Sequence, residues 1–165
     1  MKAGAATRRT LLTLVIPTLA ACAQLPRAEL PADAELRTGR LAMSVQDQPS
    51  QSFSAAFELR GQPEAGRLTL LNPLGGTLAV LQWQPGRAEL ATPGQPPRQF
   101  VALGAMVEHA TGAPIPVAAL FDWLDGKATA VPGWEVDLSQ VSEGRLRAVR
   151  RQPLPGADLR VVLDD

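Results

Sequence analysis

Residue types that build catalytic and metal sites are scarce in this sequence. Its 165 residues include one cysteine, one histidine and no tyrosine. A single cysteine excludes an intramolecular disulfide, and one histidine leaves little material for a Cys/His metal site. His109 lies beside Glu108 in a predicted helix, and we expect a structural residue there rather than a general base. No catalytic residue, metal ligand or cofactor is therefore expected.

A surplus of positive charge is also missing. Sixteen Lys and Arg residues balance sixteen Asp and Glu residues, so the formal net charge is zero. Nucleic-acid binders carry a clustered basic excess, so no nucleic-acid partner is expected. The sequence contains neither the Gly-Xaa-Ser-Xaa-Gly elbow of many hydrolases nor a phosphate-binding loop. A hydrolase anchored to a membrane is consequently the function that this sequence supports least.

A long apolar run is missing as well, and the short one that is present has a clear meaning. Residues 11–21 form an apolar run of 11 residues behind a basic segment. A transmembrane helix needs about 20 residues, whereas a secretory signal has this layout. The run ends in Leu19-Ala20-Ala21-Cys22, the pattern of a bacterial lipobox. We predict cleavage before Cys22 and its acylation; an ordinary signal with a nearby cysteine is the alternative.

The chain is therefore expected to have three parts: a lipoprotein signal peptide at 1–21, which cleavage removes, a lipidated tether at 22–38 and a folded domain at 39–165. The signal holds three of the basic residues and no acidic one, which leaves 13 basic and 16 acidic residues in the mature chain. Ala23 and Gln24 follow Cys22 without an acidic residue. In Gram-negative bacteria that favours sorting to the outer membrane, and we expect a lipid-anchored protein on its periplasmic face.

The folded domain consists mainly of predicted strands, because apolar and polar residues alternate with period two. Two stretches instead have the three-to-four-residue apolar spacing of helices, at 103–111 and 117–124. The predicted strands are 40–45, 52–59, 67–71, 77–83, 87–91, 99–101, 134–138, 145–150 and 158–163. This order favours an α+β fold in which a barrel-like antiparallel sheet packs the helices on its concave face.

Four landmarks in order resemble the outer-membrane lipoprotein receptor family LolB. They are the lipobox, Leu70-Leu71-Asn72-Pro73-Leu74-Gly75-Gly76-Thr77, Gly112-Ala113-Pro114-Ile115-Pro116-Val117 and Leu120-Phe121-Asp122-Trp123-Leu124-Asp125-Gly126. The resemblance implies an unclosed antiparallel β-barrel with short helices as a lid over a hydrophobic cavity. It also implies a receptor that accepts mature lipoproteins from the periplasmic carrier LolA and inserts them into the outer membrane.

The resemblance gives the apolar strand and helix faces a role as the lining of an acyl-chain cavity. The expected lining residues are Leu41, Met43, Phe53, Phe57, Leu68, Leu70, Leu78, Val80, Met106, Phe121 and Leu124. Leu74 occupies a turn, where polar residues are usual. The family uses an apolar residue in this protruding loop to engage the membrane, so the resemblance implies that role for Leu74.

The expected partners are LolA, acylated lipoprotein cargo and outer-membrane phospholipid, and the chain is expected to be a monomer. An alternative from a different class shares the anchor and the fold. It is a non-catalytic structural or inhibitory outer-membrane lipoprotein whose barrel is filled by its own core. A cavity able to take acyl chains distinguishes the two.

Overall fold

Alternating apolar side chains form nine strands in the part of the chain that this computed structural model describes, residues 34–47 and 52–164. The strands are β1 (Leu36–Val45), β2 (Phe53–Gly61), β3 (Gly66–Leu71), β4 (Thr77–Gln84), β5 (Arg87–Ala91), β6 (Arg98–Phe100), β7 (Trp134–Asp137), β8 (Arg145–Arg150) and β9 (Ala157–Leu163). The helices are α1 (Leu103–Thr111) and α2 (Val117–Leu124), and a 3-10 turn covers Val141–Glu143. The predicted strands and helices are confirmed, and β1 begins at Leu36.

All strands form one antiparallel sheet in the order β6-β5-β4-β3-β2-β1-β9-β8-β7. The first and last strands pair in its interior, with Leu41 opposite Val161. Among residues 34–47 and 52–164, β6 and β7 are the two edge strands, so the sheet curves without closing on itself. The unclosed antiparallel barrel is therefore confirmed, and the pairing of β1 with β9 joins the two ends of the domain.

Local chemistry ends α1 and separates it from α2. Gly112 caps the C-terminus of α1: its φ of 73° lies in the left-handed region, and its N–H donates to the Glu108 carbonyl oxygen. That φ is accessible to glycine at little cost. Pro114 and Pro116 then separate α1 from α2, because proline cannot continue a helix. The helices thus fold back across the concave face of the sheet. None of the helices in the described residues is long and apolar enough to span a membrane.

The connections of an antiparallel sheet alternate between its two ends, and this places the loops. The β3–β4 turn, the β5–β6 loop and the β8–β9 hairpin lie at one end, here called the Leu74 edge. The β4–β5 turn, the start of β1 and Val101 lie at the other end, the opposite edge. Leu74 and Val101 are 95% and 86% exposed, which makes Val101 a natural control for Leu74.

Candidate functional site

An apolar cavity with a volume of about 80 Å³ lies between the concave face of the sheet and the two helices. Its wall is contributed by strands of the sheet and by both helices. The lining residues are Leu41, Met43, Phe53, Phe57, Leu59, Leu68, Leu70, Leu81, Trp83, Leu103, Val107, Ala110, Thr111, Ile115, Val117, Leu120, Phe121, Leu124, Leu159 and Val161.

Among the lining residues that the structure describes, two side chains carry an N–H or O–H group, the Thr111 hydroxyl and the Trp83 indole. The Thr111 hydroxyl lies 2.8 Å from the carbonyl oxygens of both Val107 and Ala113. The Trp83 indole N–H donates to the Gln62 carbonyl oxygen at 3.0 Å. Both groups are therefore already bonded to the backbone, and neither offers a partner to water. Such a lining favours hydrocarbon over a polar ligand.

Eight of the eleven residues that the sequence suggested as cavity lining lie on the cavity wall. They are Leu41, Met43, Phe53, Phe57, Leu68, Leu70, Phe121 and Leu124. Met106 is fully buried in the core instead. Leu78 and Val80 lie on the outer face of the sheet, because Leu81 and Trp83 of the same strand point inward. β4 is apolar on both faces, so its pattern does not decide which face is inside.

Other lining residues are not among those eleven. Leu159 and Val161 of β9 lie opposite Met43 and Leu41 of β1 across the central pairing. Nothing local in the sequence specifies a pairing between the first and the last strand. Val107 and Ala110 follow the helical spacing of α1, and this spacing is the signal that marks the inner face of that helix.

Arg37 fastens the end of α2 to the sheet. Its Nη2 atom lies 2.7 Å from Asp125 Oδ1 and 3.0 Å from Glu35 Oε2. Its guanidinium carbon lies 6.0 Å from the centre of the Phe121 ring, within cation–π range. Its Nη1 atom is buried without a hydrogen-bond partner in the described part of the chain. The Arg37–Asp125 contact is thus a polar closure beside an otherwise apolar cavity.

The β3–β4 turn holds Leu74 in solvent. The Asn72 side-chain oxygen accepts hydrogen bonds from the backbone N–H groups of Leu74 and Gly76, each at 2.9 Å. The Asn72 N–H donates to the Gly76 carbonyl oxygen at 2.8 Å, and Gly75 takes a φ of 82°. These bonds define the turn without any contribution from the Leu74 side chain. An apolar side chain that is 95% exposed therefore sits on a well-braced tip.

The remaining residues singled out from the sequence lie away from the cavity or outside the described residues. His109 Nε2 lies 2.8 Å from Arg98 Nη1, and its ring centre lies 5.4 Å from that of Phe100. Within residues 34–47 and 52–164, no group of three or more His, Cys, Asp or Glu side chains is placed to hold a metal ion. Cys22 and the rest of the predicted signal and tether up to residue 33 lie outside those ranges.

Comparison with known proteins identifies the family. The profile of the family described as outer membrane lipoprotein LolB matches residues 36–156, which include β1 to β8 and both helices. The outer-membrane lipoprotein LolB of Cupriavidus taiwanensis is 36% identical over 146 residues, covering 84% of this chain and 71% of the relative. That of Cupriavidus metallidurans is 32% identical over 151 residues, covering 87% and 73%. That of Bordetella pertussis is 33% identical over 123 residues, covering 72% and 62%. This chain therefore belongs to the outer membrane lipoprotein LolB family.

Proposed function

We propose that this chain is an outer-membrane lipoprotein receptor that accepts mature lipoproteins from the periplasmic carrier LolA and inserts them into the outer membrane. Cys22 carries the lipid anchor, and the folded domain works as a monomer on the periplasmic face. The observation that carries the proposal is the apolar cavity between the sheet and the helices, whose two polar side chains are already bonded to the backbone. A barrel filled by its own core would leave no such space.

The energetics of the cargo explain why an apolar cavity is needed. A mature bacterial lipoprotein carries three acyl chains, each with on the order of 15 methylenes. At roughly 0.8 kcal/mol per methylene, exposing all three to water costs on the order of 35 kcal/mol. No periplasmic intermediate can tolerate that cost, so each protein that holds the cargo must shelter the chains. The lining supplied by β1 to β4, β9 and the helices has the apolar chemistry that such a shelter needs.

The cavity must enlarge when cargo enters. The cavity has a volume of about 80 Å³. By the same measure of volume a water-sized group needs about 10–15 Å³, so on the order of six methylenes fit. One acyl chain already exceeds this. The helices are the movable wall, because α2 is held to the sheet by side chains and by the Arg37–Asp125 contact at 2.7 Å. Opening α2 breaks that contact and widens the cavity.

Transfer proceeds without a chemical fuel, since the sequence carries no nucleotide-binding motif. Cargo then moves down a gradient of affinity from the carrier to this receptor. A difference of about 1.4 kcal/mol shifts the distribution tenfold, so a modest difference in cavity fit is sufficient. The acidic excess of the mature chain speeds its encounter with a basic face of the carrier.

Leu74 acts at the last step, when the acyl chains leave the cavity for the bilayer. Burying one leucine in hydrocarbon is worth roughly 1.5–3 kcal/mol, which suits a brief contact and not a permanent anchor. The braced turn presents this side chain to the membrane without requiring a change in the fold. Leu74 therefore brings the Leu74 edge of the sheet against the bilayer during delivery.

A two-stage hand-over assay tests the proposal. A carrier loaded with an acylated lipoprotein is mixed with this protein, and acceptance is scored by co-purification. Liposomes are then added, and delivery is scored by flotation. The wild type should accept and deliver, whereas Leu74→Glu should accept and then retain its cargo. Val101→Glu, at the opposite edge, is the matched control and should do both. If the wild type takes no cargo from the carrier, the receptor function is wrong.

A further inference from the structure

A second apolar tip protrudes from the fold at the β8–β9 hairpin. The hairpin loop comprises Arg151–Gly156, and Leu154 at its tip is 74% exposed. Pro153 and Pro155 flank Leu154 and carry no backbone N–H. Since backbone donors are costly to remove from water, a tip with two prolines enters an apolar interface at lower cost than an ordinary loop.

The hairpin loop lies at the same end of the sheet as Leu74. β8 enters the loop at Arg150, which pairs with Ala157, and Ala157 pairs with Val45 at the end of β1. Three inter-strand spacings of about 4.8 Å separate β9 from β3, which leads into the Leu74 turn. The antiparallel topology thus brings two exposed leucines to one edge, although they are 80 residues apart in the sequence.

A buried arginine lies at the base of the hairpin loop. Arg150 is only 6% exposed, and its Nη1 atom has no hydrogen-bond partner in the described residues. It borders an open groove of about 430 Å³ whose wall includes Ser44, Gln46, Arg151 and Asp158. Asp158 is bonded to Arg147 at 2.5 Å, and Arg151 to Glu135 at 3.0 Å. A buried cation with a free donor is costly unless an anion is available to it.

We propose that the hairpin loop is a second bilayer contact, in which Leu154 enters the membrane interface and the Arg150 guanidinium binds a phospholipid phosphate. This inference rests on the proposed function, because it assigns a further element to the delivery step. A guanidinium presents a fork of N–H donors that matches the oxygens of a phosphate. Residues 150–156 contain two arginines and no acidic residue, as suits the headgroup region of an anionic leaflet.

Two contacts with the bilayer fix the orientation of the protein on the membrane, which a single contact does not. A single leucine at a turn allows the protein to rock about that point on the membrane. A second point several strands away fixes how the Leu74 edge faces the bilayer. The domain that holds the acyl chains then keeps a constant orientation while they leave, so the hairpin loop acts on delivery and not on acceptance of the cargo.

The test places an environment-sensitive fluorophore at single introduced cysteines in the full chain. Acylation occupies Cys22, the only natural cysteine, so the new thiol is the only one labelled. Leu154→Cys, Leu74→Cys and Val101→Cys are reconstituted in vesicles of phosphatidylethanolamine and phosphatidylglycerol. Quenching by a nitroxide attached to the lipid acyl chain should be strong at 154 and weak at 101. Quenching at 154 that is no stronger than at 101 overturns the proposal.

The outcomes separate this inference from the proposed function. Quenching at 74 without quenching at 154 leaves the receptor function intact and rejects the hairpin contact. Quenching at 154 without quenching at 74 supports the hairpin contact and rejects the proposed membrane contact of Leu74. If the 154 probe leaves water only when the carrier is added, the hairpin loop binds the carrier and the lipid assignment is wrong.

The phosphate contact has its own test. Quenching at 154 should fall in vesicles of digalactosyldiacylglycerol, which lack phosphate, and in the Arg150→Gln variant with phospholipid. Arg150→Lys should restore part of it. Equal quenching in both lipids overturns the phosphate contact.

Because loss of Arg150 risks unfolding, Leu154→Asp provides an independent test of the hairpin contact. In this variant, delivery of cargo to liposomes should slow about tenfold while acceptance of cargo stays unchanged. Delivery at the wild-type rate overturns the hairpin contact.

Discussion

Filling the cavity from α1 should stabilise the protein and weaken its hold on acyl chains. Ala110 is a half-buried lining residue, so Ala110→Leu places three additional carbon atoms in the empty space. Empty volume costs about 24 cal/mol per Å³, so complete filling of about 80 Å³ is worth at most about 2 kcal/mol. For a domain of this size, that gain corresponds to a rise in Tm of about 4–8 °C.

The same substitution removes space from the ligand. Displacing about three methylenes at roughly 0.8 kcal/mol each should weaken binding of a fluorescent fatty-acyl probe by at least about tenfold. Thermal unfolding and probe titration on the same preparation provide the two numbers. Ala105→Leu is the matched control, because Ala105 is exposed on the same helix and should change neither value. If Ala110→Leu stabilises the protein and leaves probe affinity unchanged, the acyl chains do not occupy this cavity.

Three further predictions concern the closure, an ion pair and the anchor. Asp125→Asn removes the negative charge that lies 2.7 Å from Arg37. Chemical denaturation should show a loss of about 1 kcal/mol, and stopped-flow mixing should show a faster uptake of the acyl probe. Glu135→Gln, in an exposed pair, should change neither value. The hydrogen bond from Arg147 lowers the pKa of Asp158, so this carboxylate contributes stability above its unfolded pKa of about 3.9, and that stability is lost as pH falls through the lower folded pKa. Asp158→Asn should therefore be less stable than wild type at pH 7, and the two proteins should converge in stability in acid. A constant difference in stability across that range would contradict the linkage. Cys22→Ala should abolish metabolic labelling with palmitate, and equal labelling of both proteins would exclude acylation at this residue.

Local patterns account for the elements of this fold. The alternation of Leu41, Met43 and Val45 and the helical spacing of Leu103, Val107 and Ala110 reflect neighbours a few residues apart, and the structure confirms the strands and helices they predict. The Pro114–Pro116 break between the helices is equally local. Such signals are readable in one sequence because a period of two or 3.6 residues decides which side chains share a face.

The rest of the site depends on distant residues. β1 pairs with β9 across more than 100 residues of sequence, and Arg37 meets Asp125 across 88. No local pattern specifies either contact. Leu78 and Val80 of β4 are apolar but point outward, because the register with β3 sets Leu81 opposite Leu68 on the inner face. The cavity itself is space that the side chains leave unfilled, which depends on packing in three dimensions.

The most direct test of the cavity's role locates the acyl chains of a bound cargo. A lipoprotein is acylated with a fatty acid that carries a photoactivatable diazirine, loaded onto the carrier and handed to this protein before irradiation. Peptide mass spectrometry then identifies the cross-linked residues. We expect cross-links at lining residues such as Leu68, Leu120 and Val161. Cross-links confined to outer-face residues such as Leu78 and Val80 would contradict a receptor that holds acyl chains in this cavity.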